Sequence, residues 1–467
     1  MKFGRLLENL INIAQIPKTD FSISMNMTPS GLSKILTGKR LPSIREKKLF
    51  SKQASRLFAE AIYCQGCYLK FIDLFPVIYD FNSESELQMF LAYAIEYAWD
   101  QDFDTERDEN TDYPNAEKSF LGRKKVLNMF CVIISDGIVN SRAPGEFYST
   151  LPLFSHLYSD IFRRIKIAGI PQHDRPMFNH FFDISIWEAS FDNCSIDIFT
   201  TIAEAEQHVD LNLWKISKEV DSSFLLLKGQ YLLLFSIQMD GTPLMTLITH
   251  KSYLSVFFDS LIKKDAKKIS YNRNEATEFL AANPSFIADL IDRHIDAVYN
   301  FTYIGYLVQE EDLKRAGAPE TVKRSILNLF NSILTRDTTF FVTLDAMTEF
   351  YSSGKVIVPL VSTVDIAQDD RVPYLQRFNK FVNENNHNKV RILYRELPKM
   401  AALCLKGLSL IYFNTPKYEA EKIHCFESDF IGNIFADETA SGSTKILEFS
   451  PELWDSYING LYKDSID

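Results

Sequence analysis

The amino-acid sequence predicts an α+β protein: an N-terminal all-α helix-turn-helix domain, a helical connector, and a large C-terminal mixed α/β body that reads as two similar sensor-like modules. Three observations carry this. Apolar residues recur at helical spacing along the front of the chain, period-two strands gather in the rear, and charge is divided unevenly between the two. The chain has 467 residues, 46% hydrophobic and 13% aromatic, which is too apolar for a disordered protein. The expected segments are a helix-turn-helix domain over residues 1–65, the connector over 66–145, one mixed α/β domain over 146–280, and a second helical and α/β domain over 281–467.

Phe3, Leu6, Leu7, Leu10, Ile11 and Ile13 fall on one face of a first helix, which Pro17 closes. Residues 18–25 make a short second helix with Phe21 and Met25 inward, and Asn26 stands where the chain must turn, a place Asn tolerates. Thr28 is the N-cap of a third helix with Pro29 at its first position and Leu32, Ile35 and Leu36 as its buried stripe; Gly38 ends it. Pro42 and Ser43 open a fourth helix whose apolar face is expected to be Ile44, Leu49, Phe50, Ala54, Leu57, Phe58 and Ala61. Ser83 and Glu86 form a capping box at the head of a helix over 83–101. An acidic, solvated loop is expected over 102–115, a helix over 117–139 and a linker over 141–149. Behind it, alternation predicts strands at 182–187, 195–200, 224–227, 231–237 and 245–248, then helix over 275–334, then strands at 340–344, 355–360, 389–393 and 408–413.

The helix-turn-helix of residues 18–36 is the strongest functional signal. Such a unit needs a supporting helix, a turn residue with unusual backbone angles, and a second helix with small or polar residues on its outer N-terminal face. Thr28, Ser30, Gly31, Ser33 and Lys34 lie outward where Leu32 and Ile35 lie inward, and small side chains let a helix sink into a major groove about 12 Å wide. The stretch from Phe21 to Ser43 resembles the lambda-repressor/Cro-type helix-turn-helix of the xenobiotic-response-element regulators. Phe21-Ser22 takes the place of the family's Leu-Ala pair and Asn26 that of its turn glycine. Leu32-Ser33 matches its hydrophobic-Ser pair, and Gly38-Lys39-Arg40 with Pro42 its Gly-Lys-Arg-x-Pro ending. The resemblance covers roughly the first 65 residues. It implies that Thr28, Ser30, Gly31, Ser33 and Lys34 face double-stranded DNA and that Lys39 and Arg40 touch phosphate. Lys18 stands where the family carries Gln, so backbone contact rather than base readout is expected of it.

Charge agrees with this reading. Residues 1–60 hold eleven Lys and Arg against four acids, a net +7, so that the remaining 407 residues carry −18 of the total −11. A basic head on an acidic body is the asymmetry expected when one end meets phosphate, and Arg45 joins Lys18, Lys39 and Arg40 as a candidate phosphate contact. A homodimer, presenting two heads to half-sites about one helical turn apart, is expected from the geometry of such small heads.

Other chemistry finds no complete motif. Cys64-Gln65-Gly66-Cys67 is one C-x-x-C pair, short of the four ligands of a structural zinc site. His387-Asn388-Lys389 opens like a phospholipase D pattern, but Tyr394 occupies the place of its Asp. His173-Asp174 and His424-Cys425 lack a third group, and no nucleophile elbow, zinc-protease or phosphate-loop motif occurs. The expectation is therefore no catalytic residue, no metal, no cofactor and no enzyme. Six sparse cysteines, the absence of a leader pattern and the shortness of every apolar run predict a cytoplasmic protein without membrane contact. The body is expected to sense a small-molecule or protein effector, or to oligomerise. The other reading is an interaction or defence-type protein whose helix-turn-helix serves autoregulation or partner docking.

Overall fold

A computed structural model describes all of the chain except residues 65–67, 109–116, 141–144, 152–165, 168–174, 185–195, 207–208, 217–222, 263–265, 303–304, 359, 385–389, 395–396, 414–421, 441–444, 448–451, 453–454, 458 and 461–467. The expected α+β class holds: helices lead, and large mixed sheets follow. Contacts divide the chain into two compact units. The first comprises Met1–Phe182, His208–Leu211 and Lys218–Asp265; the second comprises Asp183–Gln207, Asn212–Ser217 and Ala266–Asp467.

In the first unit α1 (Phe3–Ile13), α2 (Lys18–Ser24), α3 (Pro29–Leu36), α4 (Lys47–Cys64), α5 (Tyr68–Leu74), α6 (Glu84–Asp108) and α7 (Arg123–Asn140) precede most of the sheet. Phe3, Leu6, Leu7, Leu10, Ile11 and Ile13 are all buried in α1, as their spacing requires. Phe21 of α2 stacks on Phe58 of α4 at 5.2 Å between ring centres, and Phe3 meets Phe50 at 5.7 Å. Small buried residues of α4, namely Ser51, Ala54, Ser55 and Ala59, accompany its close packing on α6. One continuous apolar core runs from Phe3 through Leu91 and Val132 to Leu233. The sheet of this unit has the strand order Met177–Phe182, Glu146–Ser149, Ser223–Leu227, Tyr231–Ile237, Pro243–Ile248 and Glu117–Leu121; the first two are parallel and the other pairs antiparallel.

The second unit repeats that order. Thr339–Thr343 and Ile295–Asn300 are parallel, and Met400–Leu405, Leu408–Phe413, Lys422–Phe426 and Ser270–Asn272 follow antiparallel, with Val390–Tyr394 and Lys445–Leu447 extending the far side. Chain order, strand direction and neighbours therefore agree over six strands in each unit. The letters of the repeat survive at one hairpin: Leu225, Leu227, Lys228 and Gly229 match Leu403, Leu405, Lys406 and Gly407, and the two glycines turn at φ 73° and 74°. The first loop is one residue longer, since Leu227 faces Tyr231 where Leu405 faces Leu408.

Several sequence expectations change. Helix α6 runs on through the expected acidic loop to Asp108, because Phe103 stacks on Trp99 one turn earlier and carries the helix forward. Residues 117–121 are a strand, not a helix start, held by pairing with Pro243–Ile248. Residues 197–206 are a helix, since Phe199 and Ile202 share a buried face at a spacing of three. Helix over 275–334 is interrupted by the strand Ile295–Asn300. The expected strand over 182–187 ends at Phe182, with residues 185–187 outside the described part. No helix among the described residues is long and apolar enough to cross a membrane.

Candidate nucleic-acid interface

The candidate recognition helix α3 forms as its local signals dictate. The Thr28 side chain accepts the Gly31 N–H at 3.1 Å, Pro29 takes the first helical position, and Leu32 and Ile35 are buried. Asn26 turns at φ 51°, the left-handed conformation that its short polar side chain tolerates, and Gly38 does the same at φ 70°. The outer face of α3 is open: Thr28, Ser30, Ser33 and Lys34 are exposed, and Gly31 is half-buried. Lys39, Arg40 and Arg45 are exposed, and with Lys34 they form no salt bridge among the described residues. Lys18 is exposed too, but its ammonium is shared with Glu8 at 2.7 Å, an exposed pair that costs little to break.

The loop after α3 is set by a second small box. Ser43 donates to the Glu46 carboxylate at 2.7 Å through its hydroxyl and at 3.3 Å through its N–H, and these two bonds hold the Glu46 carboxyl below its ordinary pKa, with the Arg40 charge adding in the same direction. The fourth helix starts at Lys47 and not at Pro42-Ser43, so Ile44 stays on the turn before it and, like Leu49 in the first helical turn, is exposed instead of inward, with Arg45 displayed on the same turn.

Two basic residues escaped the sequence reading. The backbone of α1 at Gly4 lies so close to the Ile35 and Leu36 carbonyls that a Cβ there would stand 2.5 and 2.6 Å from their oxygens. Lys2 and Arg5, both exposed, are the chain neighbours of that contact with the C-terminal end of α3. The signal that could have found them is Gly4 itself, a glycine within an apolar helix, which marks close backbone approach.

A largely buried trio of serine, histidine and glutamate lies outside this face. In the second unit Ser270 Oγ lies 2.9 Å from His424 Nδ1, and Glu206 Oε1 lies 2.9 Å from His424 Nε2. His424 thus gains the partners its sequence neighbourhood lacked. However, Ser270 and His424 have no exposed surface, and the serine hydroxyl also accepts the Leu213 N–H. The trio ties strands and a helix together and offers no path for a substrate. Burial pushes His180 down to about 3, leaving it neutral and weakly basic, and pushes the Cys404 and Cys425 thiols up to about 12, which makes them poor nucleophiles. No cluster of three metal-ligating side chains occurs among the described residues. A cavity lined by Asn300, Tyr306, Phe340 and Phe378 measures about 10 Å³, room for roughly one water. His173, Asp174, His387 and Cys67 lie outside the described residues.

No family model matches the chain, and no curated protein matches it. Among solved structures, that of TrmBL2, described as an archaeal chromatin protein showing a novel mode of DNA binding, superposes with a TM-score of 0.19 and 10% identity, covering 55% of this chain and 95% of that chain. A superposition this loose carries neither fold nor function across.

Proposed function

We propose that the chain is a sequence-specific DNA-binding transcriptional regulator of the cytoplasm, with α3 entering the major groove and Lys39, Arg40, Arg45, Lys18, Lys2 and Arg5 neutralising flanking phosphates. The observation that carries this reading is the open outer face of α3 beside Lys34, Lys39, Arg40 and Arg45, which form no salt bridge among the described residues, on a chain of net −11. Ser30, Lys34 and Arg40 had to be accessible for it to stand, and all three are exposed. Few long side chains face outward from α3, so direct base contacts are modest and DNA shape contributes to site choice. A homodimer supplies the second head. The C-terminal body acts as a sensing or oligomerising part under a small-molecule or protein effector; we assign it no catalytic role, no cofactor and no metal.

One observation favours the other class. Ile23, Ile44 and Leu49 stand 72%, 62% and 59% exposed on the same head, apolar side chains of the kind that a protein partner covers. An interaction or defence-type protein whose helix-turn-helix docks a partner accounts for them. A gel shift with the chain's own upstream DNA decides. The regulator reading expects a retarded band that weakens steeply with salt and disappears in the double variant Lys39→Glu, Arg40→Glu. Retardation by neither protein, together with capture of a partner that Ile44→Asp abolishes, supports the docking reading.

A further inference from the structure

Resting on the DNA-binding reading, we propose that one short stretch of α6, Trp99 to Asp102, is a positioning element that holds the two basic segments of the head at a fixed spacing. The stretch touches both. The Trp99 indole N–H, buried, donates to the Pro42 carbonyl at 3.0 Å, and Pro42 lies between Arg40 and Arg45. Lys47 sits over the same ring at 5.0 Å from its centre and pairs with Asp100 at 2.5 Å, which fixes the start of α4 just beyond the loop. Phe103 stacks behind Trp99 at 4.6 Å and fixes the ring's plane.

The other segment is held from the same turn. Lys2, the N-cap of α1, makes no side-chain capping bond, and the Asp102 carboxylate instead accepts the Phe3 N–H at 2.9 Å. A carboxylate at a helix N-terminus meets both an orphan donor and the positive end of the helix dipole. Since Gly4 of α1 abuts the last carbonyls of α3, Asp102 fixes the start of α1, with Lys2 and Arg5, against the recognition helix, while Trp99 fixes the loop that carries Arg40 and Arg45. None of Trp99, Asp100 and Asp102 is needed to touch DNA. They act through the backbone they hold, and the phosphate-contacting side chains start from a preset geometry instead of a searching loop.

The test uses the full chain. Trp99→Phe keeps an aromatic ring facing Lys47 and Phe103 but loses the N–H donor to Pro42 together with the bulk of the second ring. Amide exchange over residues 39–46 is expected to quicken while the amides of α2 and α3 keep their protection. DNA affinity should fall about five- to tenfold, with the slope of log affinity against log salt unchanged because no phosphate contact is removed. Lys39→Glu with Arg40→Glu, by contrast, lowers that slope. A second pair keeps the result independent of Trp99: Asp102→Ala should weaken binding, and Asp102→Asn, which retains an acceptor for Phe3, should restore it. Wild-type binding with unchanged affinity or unchanged loop exchange in Trp99→Phe overturns the positioning role alone. Wild-type protein that binds no DNA overturns the DNA reading and this role with it.

Discussion

Single residues on the head carry conformations that other side chains pay for. Asn26 sits at φ 51°, so Asn26→Ala should cost about 1 kcal/mol in chemical denaturation, the penalty for placing a Cβ without a compensating polar group in the left-handed region. Gly4→Ala is harsher. Its Cβ would press on two backbone carbonyls, and a destabilisation of about 1–3 kcal/mol is expected, accompanied by weaker DNA binding as α1 leaves α3. Glu96, half-buried on α6, has its carboxyl pKa raised, first by burial and then by Asp100, against the pull of Lys47, Lys48 and Lys125. The folded chain therefore holds that proton more tightly than the unfolded one, and stability is lost as pH rises from the ordinary Glu range through the raised value. Glu96→Gln should raise the melting temperature at neutral pH and leave it unchanged below about pH 3, where the carboxyl is protonated in both states. Thr28, Pro29, Asn26 and Gly38 were legible because capping and turn signals act within a few residues. The Ser270 to His424 contact spans 154 positions, and nothing local announces it.

Elements were legible where their own pattern decides them. The strands Ser223–Leu227 and Tyr231–Ile237 are dense in Leu, Phe and Tyr with a Gly turn between them, and they form where expected. Glu117–Leu121 has no such pattern; it is a strand because Pro243–Ile248 supplies its partner, with the Ser119 and Thr246 hydroxyls bonded across the pair at 3.1 Å. On the candidate interface, α2 and α3 were readable, but the contribution of α1 was not, since it depends on where α1 packs. Helix Leu344–Ser353 offers a test at this scale. Gly354 ends it at φ 71°, and Arg371 donates to the carbonyls of Tyr351, Ser352 and Ser353 at 3.0, 2.9 and 3.0 Å, closing the exposed helix end. An added Cβ would stand 2.5 Å from Arg371 Nε, so Gly354→Ala both strains the backbone and dislodges the guanidinium. A loss of at least about 1–2 kcal/mol is expected, measured as a shift of the denaturation midpoint.

For the whole molecule, the proposed DNA binding makes charge separation the property to test. Six basic side chains on one head imply a fall of roughly a thousandfold in affinity between about 50 and 200 mM salt, and a titration across that range checks it. A flat response would remove the phosphate-based reading. Chain order across the two units was not visible in composition or periodicity, because segments 183–207 and 212–217 belong with residues far downstream. Phe199 stacks on Phe435 at 5.1 Å and meets Phe426 at 6.3 Å, partners that are synthesised more than two hundred residues later. During translation this aromatic side chain emerges well before anything can cover it. At roughly 5–20 residues per second the nascent helix waits on the order of ten to fifty seconds, a window in which a ribosome-associated holdase has an apolar target and in which a slowed codon stretch lengthens the exposure.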